Sequence, residues 1–298
     1  MRPANIALLA DRGIVRVGGE DAEKLLQGVI TNDMDLLGKQ PAIHSALLSP
    51  QGKILFEFFV ATAGTGFLLE TARAQSQDLL RRLLLYRLRA KAEIVDAADQ
   101  YRVFALWGEP PLGSRDRGGS QAFVDPRLAQ LGQRLIVETA VAAEVAGGPD
   151  TLPATAADWH AHRIALGVPE AGKDYPLGDT FLHEANYDQL NGVSFSKGCF
   201  IGQEVASRMQ HRGGGRKRVV LVEGQADLVP NAPIRAGTTP LGSLGSVSGR
   251  RALALVRLDR AAEALGNGAV LTAAGIPISL IKPAWASFDM AATRTEAR

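Results

Sequence analysis

The chain has 298 residues, 46% of them hydrophobic, and a formal net charge of +2. That length supports buried cores for two domains or three small ones, and a charge so near zero does not by itself indicate a nucleic-acid partner. One cysteine and no run of about 18 apolar residues exclude an intramolecular disulfide, a CxxC zinc site and a membrane-spanning helix. The N-terminus lacks a long apolar signal segment, so a cytoplasmic location is expected.

In chain order, residues 13–17 predict a strand, and Asp21 reads as the N-cap of a helix that carries Ala22, Leu25, Leu26 and Val29 at helical spacing. Residues 46–48 and 54–60, joined by Ser49-Pro50-Gln51-Gly52-Lys53, read as a β-hairpin. A further strand at 67–70 completes an antiparallel sheet. A helix over 74–88 carries Leu80, Leu83, Leu84 and Leu88 as an apolar stripe, with Arg82 and Arg89 on another face, the pattern of a helix covering a sheet. Strands at 92–95 and 102–106 precede a Gly-, Pro- and Arg-rich loop over 108–121. A second layer resumes at Phe123, includes Leu135-Ile136-Val137 and reaches a helix over 156–166. After a hinge at 212–218, apolar segments at 219–222, 245–248, 252–258, 269–272 and 276–281 predict a small antiparallel barrel. The expected domains are 1–108, 109–212 and 216–298.

The P-loop, dinucleotide-binding, zinc-peptidase and nucleophile-elbow motifs are absent from the sequence. His160 and His162, the only close histidine pair, fall on different faces of a helix, so no zinc site is expected. What stands out is Ser196-Lys197-Gly198-Cys199-Phe200-Ile201-Gly202-Gln203-Glu204, around the single cysteine. A helix starting at Gly202 would set Cys199 just before its N-terminus. Backbone N–H groups there, with the ammonium of Lys197, would favour the thiolate, while the glycines let another molecule approach. The same cysteine also reads as a small buried hydrophobe. Two readings likewise stand for the basic run 212–218, a solvated linker or an RNA phosphate contact, and for Trp159, core packing or a stacking wall.

Residues 191–204 carry the pattern Lys-Gly-Cys-Tyr/Phe-x-Gly-Gln-Glu, and in this the chain resembles the YgfZ family. Val17-Gly18-Gly19-Glu20-Asp21, Leu26-Gln27-Gly28, Thr31-Asn32-Asp33 and the turn at 49–53 look like that family's N-terminal pattern. The likeness therefore covers most of the chain. Residues 162–170, with Asn186 and Val205-Ala206-Ser207-Arg208, are most similar to the branch of the mitochondrial iron-sulfur assembly factor. The resemblance implies an α+β fold like the aminomethyltransferase of the glycine cleavage system: antiparallel sheets covered by helices around a central cavity, plus a small C-terminal β-barrel. The first expected domain is then a folate-binding-like subdomain, and the second carries the cysteine motif.

The function so implied is assembly or repair of four-iron clusters. The implied cofactors are tetrahydrofolate or a related folate and an iron-sulfur cluster shared transiently with a partner. A-type iron-sulfur scaffold proteins and client cluster enzymes are the implied partners, with neither RNA nor a membrane. Carried over residue by residue, Cys199 is a thiolate acting as cluster ligand or transient redox group, framed by Lys197, Gln203 and Glu204. Trp159, Arg163, Asn186, Gly198, Gly202 and Arg208 are the implied cofactor contacts. Ala165 stands where folate-using relatives have a glutamate, Arg12 where some members have a second tryptophan, and within 96–101 either Asp99 or Gln100 takes the place of the transferase aspartate, with Asp96 or Asp99 the acid an enzyme of that kind would use. These departures weigh against transferase chemistry. The alternatives are a folate-dependent aminomethyltransferase-like enzyme and a tRNA-modification accessory protein. Since clusters usually take four protein ligands, one cysteine implies a ligand set shared with another protein.

Overall fold

The structure is a computed structural model that describes residues 3–108, 120–148, 151–211 and 215–290. In chain order the elements are β1 (Ala4–Leu8), β2 (Arg12–Gly18), α1 (Ala22–Val29), β3 (Ala42–Leu48), β4 (Ile54–Ala63), β5 (Gly66–Ala72), α2 (Ser76–Arg87), β6 (Glu93–Asp96), β7 (Tyr101–Trp107), β8 (Ser120–Val124), β9 (Gln133–Glu138), α3 (Ala142–Ala146), β10 (Thr151–Pro153) and α4 (Ala156–Ala165). They continue with α5 (Gln203–His211), β11 (Lys217–Gly224), β12 (Pro233–Ala236), β13 (Thr239–Ser248), β14 (Arg251–Arg257), α6 (Leu258–Gly266), β15 (Leu271–Ala273) and β16 (Ile276–Ile281). Two compact units result: Met1–Trp159 with Leu190–Gln203, and His160–Gln189 with Glu204–Arg298.

The first unit holds two five-stranded sheets, ordered β3-β4-β5-β2-β6 and β10-β1-β7-β9-β8. The first sheet is antiparallel throughout. Its Val15, Val17, Phe56, Phe58, Val60 and Leu69 form one core with Leu25 and Leu26 of α1 and Leu79 and Leu83 of α2. Because successive strand residues point to opposite faces, Glu57, Phe59 and Glu70 lie on the other side, toward Arg127 and Arg134 of the second sheet's side of the unit. The second sheet buries Ile6, Phe104, Leu106, Leu135 and Val137 with Val145 of α3. Burial on both faces explains why β4 reads as an almost unbroken apolar run interrupted by one acid.

In the second unit β11-β14-β13-β12-β15-β16 close a barrel, as the C-terminal segments predicted. Its interior includes Val220, Val222, Ile234, Leu241, Leu244, Ala254 and Val256, with Leu258 and Ala261 of α6 packed against them. The short strand β12 escapes the sequence pattern because only Ile234 of its residues is buried. Leu258, expected to end a strand, opens α6 instead.

Three other local expectations change. The Asp21 side chain does not cap α1; it accepts from the Lys91 N–H at 2.7 Å. Helix α2 turns Leu79 and Leu83 inward and leaves Leu84 and Leu88 exposed, so the predicted stripe is displaced around the helix. Before α4, the Thr155 Oγ1 accepts from the Asp158 N–H at 3.1 Å while Asp158 accepts from the Thr155 N–H at 2.9 Å. This capping box holds the exposed Asp158 carboxyl below its ordinary pKa through the Thr155 hydroxyl and N–H. Of the expected hinge, 212–214 lie outside the described residues, as do 109–119 of the expected loop, and Lys217 and Arg218 begin β11. Among the described residues no helix is long and apolar enough to cross a membrane.

Candidate functional site

The cysteine loop belongs to the first unit and is fixed by residues far away in sequence. Thr31 Oγ1 donates to the Gly192 carbonyl at 2.7 Å, Asn32 Nδ2 to the Asn191 carbonyl at 2.8 Å, and the Ser194 N–H to the Thr31 carbonyl at 3.0 Å. His44 Nδ1 lies 3.1 Å from the Leu190 carbonyl. Thr31-Asn32-Asp33, which the sequence singled out, is thus the cradle of residues 190–194. Gln27, from the same pattern, bridges Asp33 Oδ1 and the Met34 N–H at 2.8 and 2.9 Å and fixes that cradle to α1.

Lys197 is the second anchor. Its Nζ donates to the carbonyls of Gln27, Ile30 and Asn32 at 2.7, 2.9 and 2.8 Å, which takes all three ammonium hydrogens. These carbonyls gather at the C-terminal end of α1, where the helix dipole favours a cation. Burial lowers the Lys197 pKa from 10.5 to about 8, with Asp33 and Asp35 pulling it back up. The ammonium is thus a staple between the loop and α1.

The third anchor is Gly202, at φ 80, whose Cα packs on the hairpin turn. A Cβ here would stand 2.7 Å from the Ser49 carbonyl oxygen and 3.1 Å from Gly52 Cα, so only glycine fits without displacing backbone. Phe200 is buried, 5.4 Å from ring centroid to Lys197 Nζ. Between these anchors Cys199 is exposed, which removes the buried-hydrophobe reading. Gly198 meets nothing within 4 Å of an added Cβ, so the space beside the thiol is open.

Behind the loop runs a buried ladder of charge. Arg12 Nε meets Glu70 Oε1 at 2.8 Å, and Glu70 also pairs with Arg134. Arg134 Nε meets Asp125 Oδ2 at 3.0 Å, and Arg127 Nη2 meets the same oxygen at 2.8 Å. Arg127 comes within 4.0 Å of Glu57, whose Oε1 is 3.1 Å from His44 Nε2. Guanidiniums of Arg127 and Arg134 lie 4.9 and 4.4 Å from the Phe59 ring centroid. Burial opposes charge at Asp125, but Arg127 and Arg134 outweigh it and hold the carboxyl well below the ordinary aspartate range. Sequence reasoning missed this ladder; the available signal was Glu57 and Glu70, each an acid inside an apolar strand.

The remaining expected site residues are dispersed. Trp159 is 1% exposed, packs 5.5 Å from the Trp107 ring and lies 5.7 Å from the Arg134 guanidinium. Arg12, in the place of a second tryptophan, belongs to the ion ladder. In the second unit Arg163 donates to the Val168 carbonyl at 2.7 Å and Ser246 Oγ at 2.8 Å and pairs with Asp174 at 2.5 Å. Asn186 donates to the Val219 carbonyl at 2.9 Å, and Glu204 pairs with Arg208 on the exposed side of α5 at 2.6 Å. Gln203 opens α5. Arg218 is buried against Asp188 at 2.6 and 2.9 Å, so it is not a phosphate contact. Asp96 accepts from the Ala98 N–H at 2.9 Å, and the exposed Asp99 pairs with Arg73 at 2.8 Å. A folate stacked on Trp159 does not fit this arrangement, because the ring has no accessible face. Among the described residues no group of three or more His, Cys, Asp or Glu is placed to hold a metal ion.

Sheets, barrel and loop define an aminomethyltransferase-like α+β scaffold that presents one exposed thiol. The glycine cleavage system aminomethyltransferase T from Bartonella henselae superposes with a TM-score of 0.77 over 96% of this chain and 87% of that one, at 15% identity, which is a likeness of fold. Residues 216–288 match the CAF17 C-terminal beta-barrel domain. Over 262 residues the chain is 34% identical to the human mitochondrial iron-sulfur cluster assembly factor IBA57, covering 81% of this chain and 72% of that protein. It is 30% identical to the IBA57 homolog of Mycosarcoma maydis over 81% of this chain and 60% of that protein. The chain belongs to the iron-sulfur cluster assembly factor IBA57 family. Both relatives are named as mitochondrial, which corrects the expected cytoplasmic location.

Proposed function

We propose that the protein is an iron-sulfur cluster assembly factor, close in its cysteine motif to the YgfZ family, in which Cys199 supplies one ligand to a cluster shared with a partner. The exposed position of Cys199 between the buried anchors Lys197 and Phe200 carries this reading. A thiol held on a rigid loop reaches a partner's iron with little entropy left to lose, and clusters usually need four ligands where this chain has one cysteine. The cluster is cargo, and the partner supplies its other ligands. A-type scaffold proteins are the natural donors and client cluster enzymes the acceptors. Folate has no part in this reading, since Trp159, Arg163 and Asn186 are engaged internally. Neither transferase chemistry nor tRNA binding gains support from Asp96, Asp99 or Arg218.

The test is anaerobic cluster reconstitution with an A-type scaffold protein, followed by absorption and transfer to a client apoprotein. Cys199→Ser should retain the native Tm and lose the shared-cluster absorption and most of the transfer. Unchanged cluster formation by the variant refutes the role of the thiol.

A further inference from the structure

Helix α2 leaves an apolar end in water. Leu79 and Leu83 are buried, whereas Leu84, Leu85 and Leu88 are 38%, 67% and 86% exposed. Leu88 is strained as well. It sits at φ 46 and ψ −109, in a turn closed by the Ala90 N–H on the Arg87 carbonyl at 2.8 Å. Those dihedrals suit the first central position of a type II′ turn, where glycine is the favoured residue. A leucine there destabilises the fold by backbone strain and leaves a large apolar side chain in solvent. No core contact of the described residues accounts for it.

The surrounding charge is mostly basic. Arg82, Arg87 and Arg89 make no ion pair among the described residues, while Arg81 pairs with Asp78 and Lys91 with Glu20 at the margin. We propose that this end of α2 is a docking surface for an acidic partner protein that offers an apolar pocket rimmed by carboxylates. Leucines supply the apolar centre, and the three free guanidiniums supply the complement to the carboxylates. Only Leu84, Leu85 and Leu88, at one end of α2, are exposed, a knob of the size that fills a protein pocket, whereas a helix lying in a bilayer buries an apolar face along its length, and here Leu79 and Leu83 are already buried. This inference does not depend on the role of Cys199.

The test places a benzoylphenylalanine crosslinker at position 85 of the full chain, with the exposed Leu265 of α6 as the control position. Adducts formed in cells are identified by mass spectrometry, and the captured protein is purified and titrated calorimetrically with the unmodified chain. Expected is an acidic protein captured at 85 and not at 265, bound about tenfold or more weakly by the Arg87→Glu/Arg89→Glu variant and more weakly at high salt. Leu88→Gly should weaken binding while raising Tm, a split that a structural role for Leu88 does not produce. Any of four results overturns the proposal: no adduct above the control, adducts only to a second copy of this chain, adducts only to lipid with binding to phosphatidylcholine–phosphatidylserine vesicles, or a captured protein indifferent to the charge reversals.

Discussion

Lys197 shows how much of one side chain's work is invisible when only its neighbours in sequence are known. Beside Cys199 it reads as an electrostatic activator, yet its hydrogens go to Gln27, Ile30 and Asn32, 170, 167 and 165 residues away. Lys197→Met should cost about 2 kcal/mol or more in urea unfolding, since three buried carbonyls lose their donor. The pH dependence has a definite sign. Below about pH 8 folded and unfolded chains both hold the Lys197 proton; between about 8 and 10.5 the unfolded chain holds it and the folded chain does not. Stability of the native protein relative to Lys197→Met should therefore rise with pH across that window. A flat difference would show that Lys197 keeps its proton in the fold.

At the scale of elements, the two sheets of the first unit are joined on one side by charge instead of by an apolar layer. Asp125 sits between Arg127 and Arg134 in that joint, wholly buried. Removing its charge leaves two guanidiniums uncompensated, so Asp125→Asn should cost about 3–5 kcal/mol near neutral pH. Because the folded carboxyl titrates below the ordinary 3.8, its stabilisation is complete above about pH 4 and is lost as pH falls further. Acid titration of unfolding should lose that component in Asp125→Asn. Element types were largely legible: the hairpin, α1, α2, α4 and most barrel strands follow from period and turn residues. Which face of α2 is buried was not, because Leu79 and Leu83 were selected by the sheet beneath them and the leucines alone allow several faces.

At the scale of the molecule, the first unit is completed by a segment that returns late in the chain. Leu190–Gln203 supplies acceptors for Thr31, Asn32 and His44 and the ammonium for the α1 carbonyls. A fragment ending at residue 159 should therefore unfold at lower urea concentration than the full chain, with circular dichroism as the measurement. An equally stable fragment would mean that the cysteine loop is a passenger on the first unit.

Sequence alone determined that one cysteine thiol is present and that it lies in a glycine-framed motif. It also marked Gln27, Thr31-Asn32-Asp33 and the Ser49–Lys53 turn as separate fragments. Only the tertiary structure decided that these fragments meet at the cysteine loop, that Lys197 faces inward and that Cys199 faces water. The physical reason is range. Periodicity and turn chemistry act over a few residues, whereas exposure of the thiol depends on hydrogen bonds and close backbone packing between segments separated by most of the first unit's length.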